Sequence, residues 1–286
     1  SQISLSRDGA NLAVTLNEDG YSALVVYDAK TMRPIAEQSF PRGIINRARW
    51  SCDGRHLAFV FESAIHNKNV WMWSKNENRH WPLTNLPPRV PEGIFVEPEL
   101  IHYTSLDGLH IPAFLFLPQK RTDKVPVIIN IHGGPEEQYR PVFDALTQYF
   151  TYRGYAVVAP NVRGSAGYGK KYLALDDRDK RMDAVKDIVA LQTYLKTRKE
   201  INAERVALIG ASYGGYMTLA CLAFFPDLWA AGVDIVGFSN LVTFLENTAV
   251  WRRALREAEY GFLKTDRELL EKISPFNFTQ NIKAPL

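Results

Sequence analysis

The sequence has 286 residues, 46% of them hydrophobic and 23% charged, an ordinary globular composition that excludes a disordered, collagen-like or coiled-coil chain. At roughly 150 residues per domain, this length suggests about two domains. Lys plus Arg number 34 against 31 Asp plus Glu, a net charge of +3, too small to attract nucleic acid or an anionic membrane unless it is clustered. The densest run, Lys170 to Arg181, interleaves Lys170, Lys171, Arg178, Lys180 and Arg181 with Asp176, Asp177 and Asp179, and it reads as a solvated face. The two cysteines, Cys52 and Cys221, match neither a disulfide framework nor a metal spacing. No metal or other cofactor is therefore expected, and a reducing, cytoplasmic compartment is the inference. No stretch approaches the roughly 18 apolar residues of a membrane span.

The chain opens with a repeat. Ser6-Arg7-Asp8-Gly9-Ala10-Asn11-Leu12-Ala13 returns 45 residues later as Ser51-Cys52-Asp53-Gly54-Arg55-His56-Leu57-Ala58, the period of a propeller blade. Each Asp-Gly supplies a tight turn, Asp bonding its own backbone and Gly allowing φ > 0, ahead of an apolar strand. Those strands are Leu12 to Leu16 and Leu57 to Phe61. Further β-rich runs follow at Ala23 to Tyr27 and near Ile35, then at Val70 to Trp73 and Trp81-Pro82-Leu83, making two blades of about four strands. Propellers close with about 4 to 8 blades, so these are expected to be the last blades of a longer propeller. Leu86-Pro87-Pro88-Arg89-Val90-Pro91 forbids helix and reads as a connector, dividing the chain into residues 1–91 and 92–286.

Beyond the connector the pattern changes. Leu100 to Thr104 and Leu109 to Leu117 flank the hairpin signal Asp107-Gly108. Val125 to Ile131 and Tyr155 to Pro160 are short, nearly continuous apolar runs, as in central strands covered on both faces. Helices are predicted over Val142 to Arg153, Asp183 to Arg198 and Tyr213 to Phe224, and strands over Arg205 to Gly210 and Ala230 to Val236. Alternating β and α implies a mostly parallel sheet with helices on both faces.

Gly210-Ala211-Ser212-Tyr213-Gly214-Gly215 fits G-x-S-x-G between an apolar strand and a helix, the nucleophile elbow of an α/β hydrolase fold. So tight a turn holds Ser212 in strained φ/ψ and requires glycine at the flanking positions. Acyl transfer also needs oxyanion donors, which in this fold are the N–H after the nucleophile and one from an earlier loop. Tyr213 supplies the first. Ile131-His132-Gly133-Gly134-Pro135 matches an HGG oxyanion loop, in which Gly134 or Gly133 would supply the second. His132 precedes the nucleophile and reads as a hydrogen-bonder that fixes this loop rather than as the base.

All six histidines (His56, His66, His80, His102, His110 and His132) lie upstream of Ser212, whereas the order in these hydrolases is Ser, then acid, then His. Among the downstream acids Asp227, Asp234 and Asp266, only Asp234 falls beside a strand, and a structural role is expected for it. Ile282-Lys283-Ala284-Pro285-Leu286 looks like the lead-in to another parallel strand. The triad Asp and His are thus absent from these residues and are expected beyond Leu286. Gly164 to Lys171 nearly fits the phosphate loop G-x-x-x-x-G-K-S/T, but Lys171 replaces the hydroxyl that would hold a metal ion. The glycines are expected instead to shape a loop over the cleft, with Arg163 available either for a substrate carbonyl or for a structural carboxylate.

With these residues in view the chain resembles the prolyl oligopeptidase family of serine peptidases, nearest its acylaminoacyl-peptidase and dipeptidyl-aminopeptidase branch. The resemblance rests on Gly210 to Met217, on His132 to Pro135, and on Asn161-Val162-Arg163-Gly164-Ser165 with Gly167-Tyr168-Gly169. It implies a β-propeller coupled to an α/β-hydrolase domain and the cleavage of short peptides through an acyl-enzyme. Ser212 would be the nucleophile, with Tyr213 and Gly134 as oxyanion donors. By the same resemblance Phe238, Leu241 and Phe244 lie where an apolar substrate pocket forms, a buried core role being the alternative. Two competing expectations remain: an esterase of the same fold, and a non-catalytic binding module. The implied partner is a peptide, with self-association left open.

Overall fold

The structure, a computed structural model, describes residues 2–37, 40–84, 93–120 and 123–286, so the proline-rich connector at 86–91 lies outside the described residues. The chain divides into two compact units, residues 1–98 with 140–148, and residues 99–139 with 149–286.

The first unit is built from the repeat. Strands β1 (Gln2–Leu5), β2 (Asn11–Glu18), β3 (Tyr21–Asp28) and β4 (Pro34–Glu37) form one antiparallel four-stranded sheet in sequence order. Strands β5 (Ile44–Trp50), β6 (His56–Glu62), β7 (Asn69–Ser74) and β8 (Arg79–Pro82) form a second. The two Asp-Gly turns are built alike: the Ser6 hydroxyl donates to Asp8 Oδ1 at 2.6 Å and the Ser51 hydroxyl to Asp53 Oδ1 at 2.6 Å. In each turn the glycine, at φ 70° for Gly9 and 66° for Gly54, returns its N–H to the serine carbonyl. The alternation read from the sequence sends Leu57, Phe59 and Phe61 inward from β6, where they share a core with Ala13, Leu24, Val26 and Trp73. Residues 140–148, far away in sequence, join this unit through side chains that satisfy backbone carbonyls. Arg140 Nε donates to Gly20 O at 2.8 Å, and Gln148 Nε2 donates to Ala64 O at 2.9 Å.

The second unit holds a six-stranded sheet. Its strands are β9 (Glu99–Thr104), β10 (His110–Phe116), β11 (Val125–Ile131), β12 (Ala156–Pro160), β13 (Ile201–Ala211) and β14 (Ala231–Ile235), ordered β14-β13-β11-β12-β10-β9. The four strands from β14 to β12 run parallel; β10 is antiparallel to both β12 and β9. Helix α1 (Ala145–Tyr152) starts three residues later than its apolar pattern predicts, because Asp144 caps it by accepting from Thr147 N at 3.0 Å. The short α2 (Lys170–Leu173) leads through two 3-10 turns into α3 (Arg181–Leu195). Helix α4 (Tyr213–Phe224) follows β13, and α5 (Leu241–Glu246), α6 (Val250–Tyr260) and α7 (Arg267–Lys272) follow β14. Every residue of β12 is buried, and β11 buries five of its seven, as central strands require. At the sheet edge Gly232 N donates to Pro285 O at 2.9 Å, so the last residues run alongside β14.

One expectation is corrected. The run Lys170 to Arg181 does expose Lys170, Lys171, Arg178, Asp179 and Lys180, but it turns Asp176 and Arg181 into the interior. Alternating charge cannot distinguish a solvated face from a pair folded inward on itself.

The core predicts its own sensitivity. Ile129 is wholly buried in β11, so Ile129→Ala is expected to lower the unfolding free energy by about 2–5 kcal/mol in a urea titration; a loss below about 0.5 kcal/mol would contradict this packing.

Candidate active site

The site starts from a backbone crossing. Strand β13 ends at Ala211, and α4 begins at Tyr213. The one residue between them, Ser212, sits at φ 55°, ψ −116°, a conformation that costs a non-glycine residue about 1–3 kcal/mol. Its neighbours leave it no alternative. A Cβ on Gly210 would lie 2.2 Å from Gly214 O, and one on Gly214 would lie 2.1 Å from Ile131 O, so only glycine lets the strand, the turn and the end of β11 meet. Ser212 N donates to Ile235 O at 2.9 Å, and Tyr216 N closes the first helical bond to Ser212 O at 3.1 Å. Ser212 is exposed, while Tyr213 beside it is fully buried.

The loop after β11 lies alongside. A Cβ on Gly133 would be 3.7 Å from Ser212 Cβ and 3.4 Å from Ala211 O, so this loop and the elbow form adjoining walls. Gly134 adopts φ 121° and is followed by a cis peptide to Pro135. His132 Nδ1 lies 2.7 Å from Gly133 O and Nε2 lies 2.8 Å from Ser165 Oγ. A carbonyl oxygen only accepts, so Nδ1 carries the proton. Burial lowers the pKa of the ring, and the Ser165 hydroxyl, whose one proton is directed to Val162 O at 2.6 Å, lies beside Nε2. His132 thus pins the glycine loop to the segment carrying Ser165. Of the other histidines in the second unit, His110 on β10 is three strands from β13 and His102 on β9 is four.

Arg163 had two readings, and its guanidinium is occupied by carboxylates. Nε donates to Asp187 Oδ2 at 3.0 Å, Nη2 to Asp187 Oδ1 at 2.8 Å, and Nη1 to Asp107 Oδ2 at 2.8 Å. The side chain is 5% exposed. The hydrogen bonds from Arg163 hold Asp107 down to about 2, whereas burial pushes Asp187 upward. Leu241 is wholly buried in the core. Phe238 and Phe244 are half-buried and stacked on each other at 4.3 Å. The stack continues from Phe238 to Tyr216 at 5.1 Å and from Tyr216 to Tyr213 at 5.8 Å, joining these aromatics to the elbow helix. Asp234, on β14, accepts from Gly237 N at 2.9 Å and closes the turn beneath Gly215.

Reading by motif missed a buried ionic cluster behind Tyr213. Arg181, wholly buried, pairs with Asp176 through Nη1 and donates from Nη2 to Glu259 O at 3.2 Å. Its guanidinium carbon lies 5.1 Å from the Tyr213 ring centre and 4.6 Å from that of Tyr260. The Tyr213 hydroxyl donates to Asp176 Oδ2 at 3.2 Å. Burial raises both carboxyls, Asp176 to about 6 and Glu259 to about 7. The glycine loop also carries Glu137, whose Oε2 would lie 3.9 Å from a Cβ on Gly133. Among the described residues no group of three or more His, Cys, Asp or Glu side chains is placed to hold a metal ion.

A mostly parallel sheet in which β13, paired between β14 and β11, turns through a strained, exposed serine into a helix beside a glycine loop from β11 defines an α/β hydrolase. Residues 141–286 match the model of the prolyl oligopeptidase family, and the chain belongs to that family. It is 32% identical over 199 residues to dipeptidyl aminopeptidase BIII of Pseudoxanthomonas mexicana, covering 65% of this chain and 29% of that protein. It is 32% identical over 274 residues to dipeptidyl peptidase family member 6 of Caenorhabditis elegans, covering 86% of this chain and 37% of that protein. A solved acylaminoacyl peptidase of Pyrococcus horikoshii superposes with a TM-score of 0.83 at 26% identity, over 100% of this chain and 45% of that one. The chain therefore spans less than half the length of each of these relatives.

The cluster carries a pH signature. A carboxyl whose pKa is raised by folding is favoured in its protonated form, so the stability it contributes is complete below its ordinary value and is lost as pH rises through the folded value. For Glu259 that window runs from 4.5 to about 7. Thermal melts across it are expected to show a midpoint that falls with pH in the parent protein and falls less in Glu259→Gln; parallel curves would contradict the raised pKa.

Proposed function

We propose that the protein to which this chain belongs is a serine peptidase that cleaves short peptides through an acyl-enzyme on Ser212. The observation that carries this reading is the exposed Ser212 at φ 55° between β13 and α4, with Gly133 packed against it. In this mechanism Ser212 Oγ attacks the scissile carbonyl, and the developing oxyanion is received by the backbone N–H groups of Tyr213 and Gly134. The amine leaves with a proton, and water then releases the acyl group from Ser212 Oγ. His132 does not serve as the base, because its ring nitrogens are engaged by Gly133 O and Ser165.

The relatives' names, dipeptidyl aminopeptidase and acylaminoacyl peptidase, favour release of a short N-terminal unit. Phe238 and Phe244 are then the candidate wall of an apolar subsite, with Leu241 supporting it from the core, while Arg163 orders the loop through Asp187 and Asp107. The two free cysteines, Cys52 exposed and Cys221 buried, suit a reducing, cytoplasmic compartment. No helix among the described residues is long and apolar enough to cross a membrane.

The test is Ser212→Ala in the full-length protein, assayed on peptide amides and on esters of the same acyl group. The expected result is a loss of kcat of about 10⁴-fold or more on both, with folding unchanged. Hydrolysis of esters but never amides by the parent would favour the esterase reading, and full activity in Ser212→Ala would exclude Ser212 as nucleophile.

A further inference from the structure

Two segments that build the oxyanion pocket converge on one buried carboxylate. Asp176, 1% exposed, ends the 3-10 turn Ala174–Asp176. Its Oδ2 accepts from the Tyr213 hydroxyl and from Arg181 Nη1. On another side the backbone of the glycine-rich loop presses on it: a Cβ on Gly164 would lie 2.2 Å from Asp176 Cγ. The next residue in that loop, Ser165, holds His132, and His132 leads directly into Gly133 and Gly134. Asp176 therefore touches the side chain of one oxyanion donor and the loop that anchors the other.

A buried ionic cluster is weak evidence for stability. Burying a guanidinium and two carboxylates has a desolvation cost that their mutual attraction offsets only with full hydrogen bonding, and apolar residues of similar volume often serve a fold as well or better. Here the bonding is incomplete, because among the described residues the buried Arg181 Nε has no hydrogen-bond partner. What the cluster provides is direction. Arg181 lies between the rings of Tyr213 and Tyr260, its Nη2 donates to the Glu259 carbonyl at 3.2 Å, and Arg256 Nη1 holds the Glu259 carboxylate at 3.1 Å. The end of α6, the start of α3, the glycine-rich loop and the elbow are thereby fixed to one charge.

We propose that Asp176 and Arg181 are positioning residues that set the spacing between the backbone N–H groups of Tyr213 and Gly134, by anchoring the Tyr213 side chain and the Gly164–Ser165 loop on a single ion pair. The inference rests on Ser212 being the nucleophile. It assigns catalytic consequence to side chains that touch neither substrate nor reacting atoms, since misplacing a donor by about 1 Å is enough to lower a rate substantially.

The test compares Tyr213→Phe, Asp176→Asn and Gly164→Ala with the parent in the full-length protein, with active sites titrated by a fluorophosphonate so that misfolded molecules are not counted. Each variant is expected to lower kcat per active site by about 10–100-fold, to leave KM within about twofold, and to weaken a peptide boronic acid inhibitor by the same factor as kcat. Tyr213→Phe removes a single oxygen and keeps the fold readable if the other two variants do not accumulate. Unchanged kcat and boronate affinity in Tyr213→Phe, with only a lower melting temperature, would overturn the inference and leave the peptidase reading intact. A parent protein as inactive and unlabelled as Ser212→Ala would remove the peptidase reading and this inference with it.

Discussion

Three stretches of backbone meet at a distance that no side chain tolerates. The carbonyl oxygen of Ile131 would be 2.1 Å from a Cβ on Gly214, and that of Gly214 would be 2.2 Å from a Cβ on Gly210. The parallel pairing of β11 with β13, which continues to Ile131 and Gly210, brings the two strand ends together, and α4 must leave through the gap. Ser212, at this crossing, has a positive φ and an exposed side chain. The strain at Ser212 is thus sustained by the buried side chains of the strands around it, Val127 and Ile129 on one side and Val206 and Leu208 on the other. The exposed serine is a product of the sheet's packing.

Around that crossing polar side chains tie the surrounding segments together. The glycine loop after β11 is tied by His132 to Ser165, the loop of Ser165 is tied by Arg163 to Asp187 and Asp107, and the elbow helix is tied by Tyr213 to Asp176. Each tie joins segments distant in sequence, and two of them use a charge buried with its counter-ion. Such pairs are weak evidence for stability. Under the proposed mechanism they hold the backbone N–H groups of Tyr213 and Gly134 in place.

Much of this was legible in the sequence, for an identifiable reason. The Asp-Gly repeats, the elbow and the HGG loop are backbone devices, and glycine at a fixed spacing records a backbone demand directly. The central strands β11 and β12 were readable because strands buried on both faces leave no polar position. Asp176 and Arg181 were not. They sit in a run of mixed charge that is mostly solvated, and nothing in the spacing of Asp176, Asp177, Asp179 and Arg181 says which of them folds inward. Nor could the sequence show that Arg163 meets Asp187 from α3 and Asp107 from the β9–β10 turn, contacts set by how α3 packs. Residues 140–148 likewise join the first unit through Arg140 and Gln148, a pairing across more than 80 residues that local pattern does not encode.

The central claim is that this backbone crossing makes Ser212 an activated nucleophile with oxyanion donors beside it. The most direct measurement is to treat the folded full-length protein with a fluorophosphonate, digest it and map the adduct by mass spectrometry. The account predicts one adduct, on Ser212, that disappears when the protein is heat-denatured before treatment. Labelling at another serine, or hydrolytic activity that persists with Ser212 unlabelled, would contradict it.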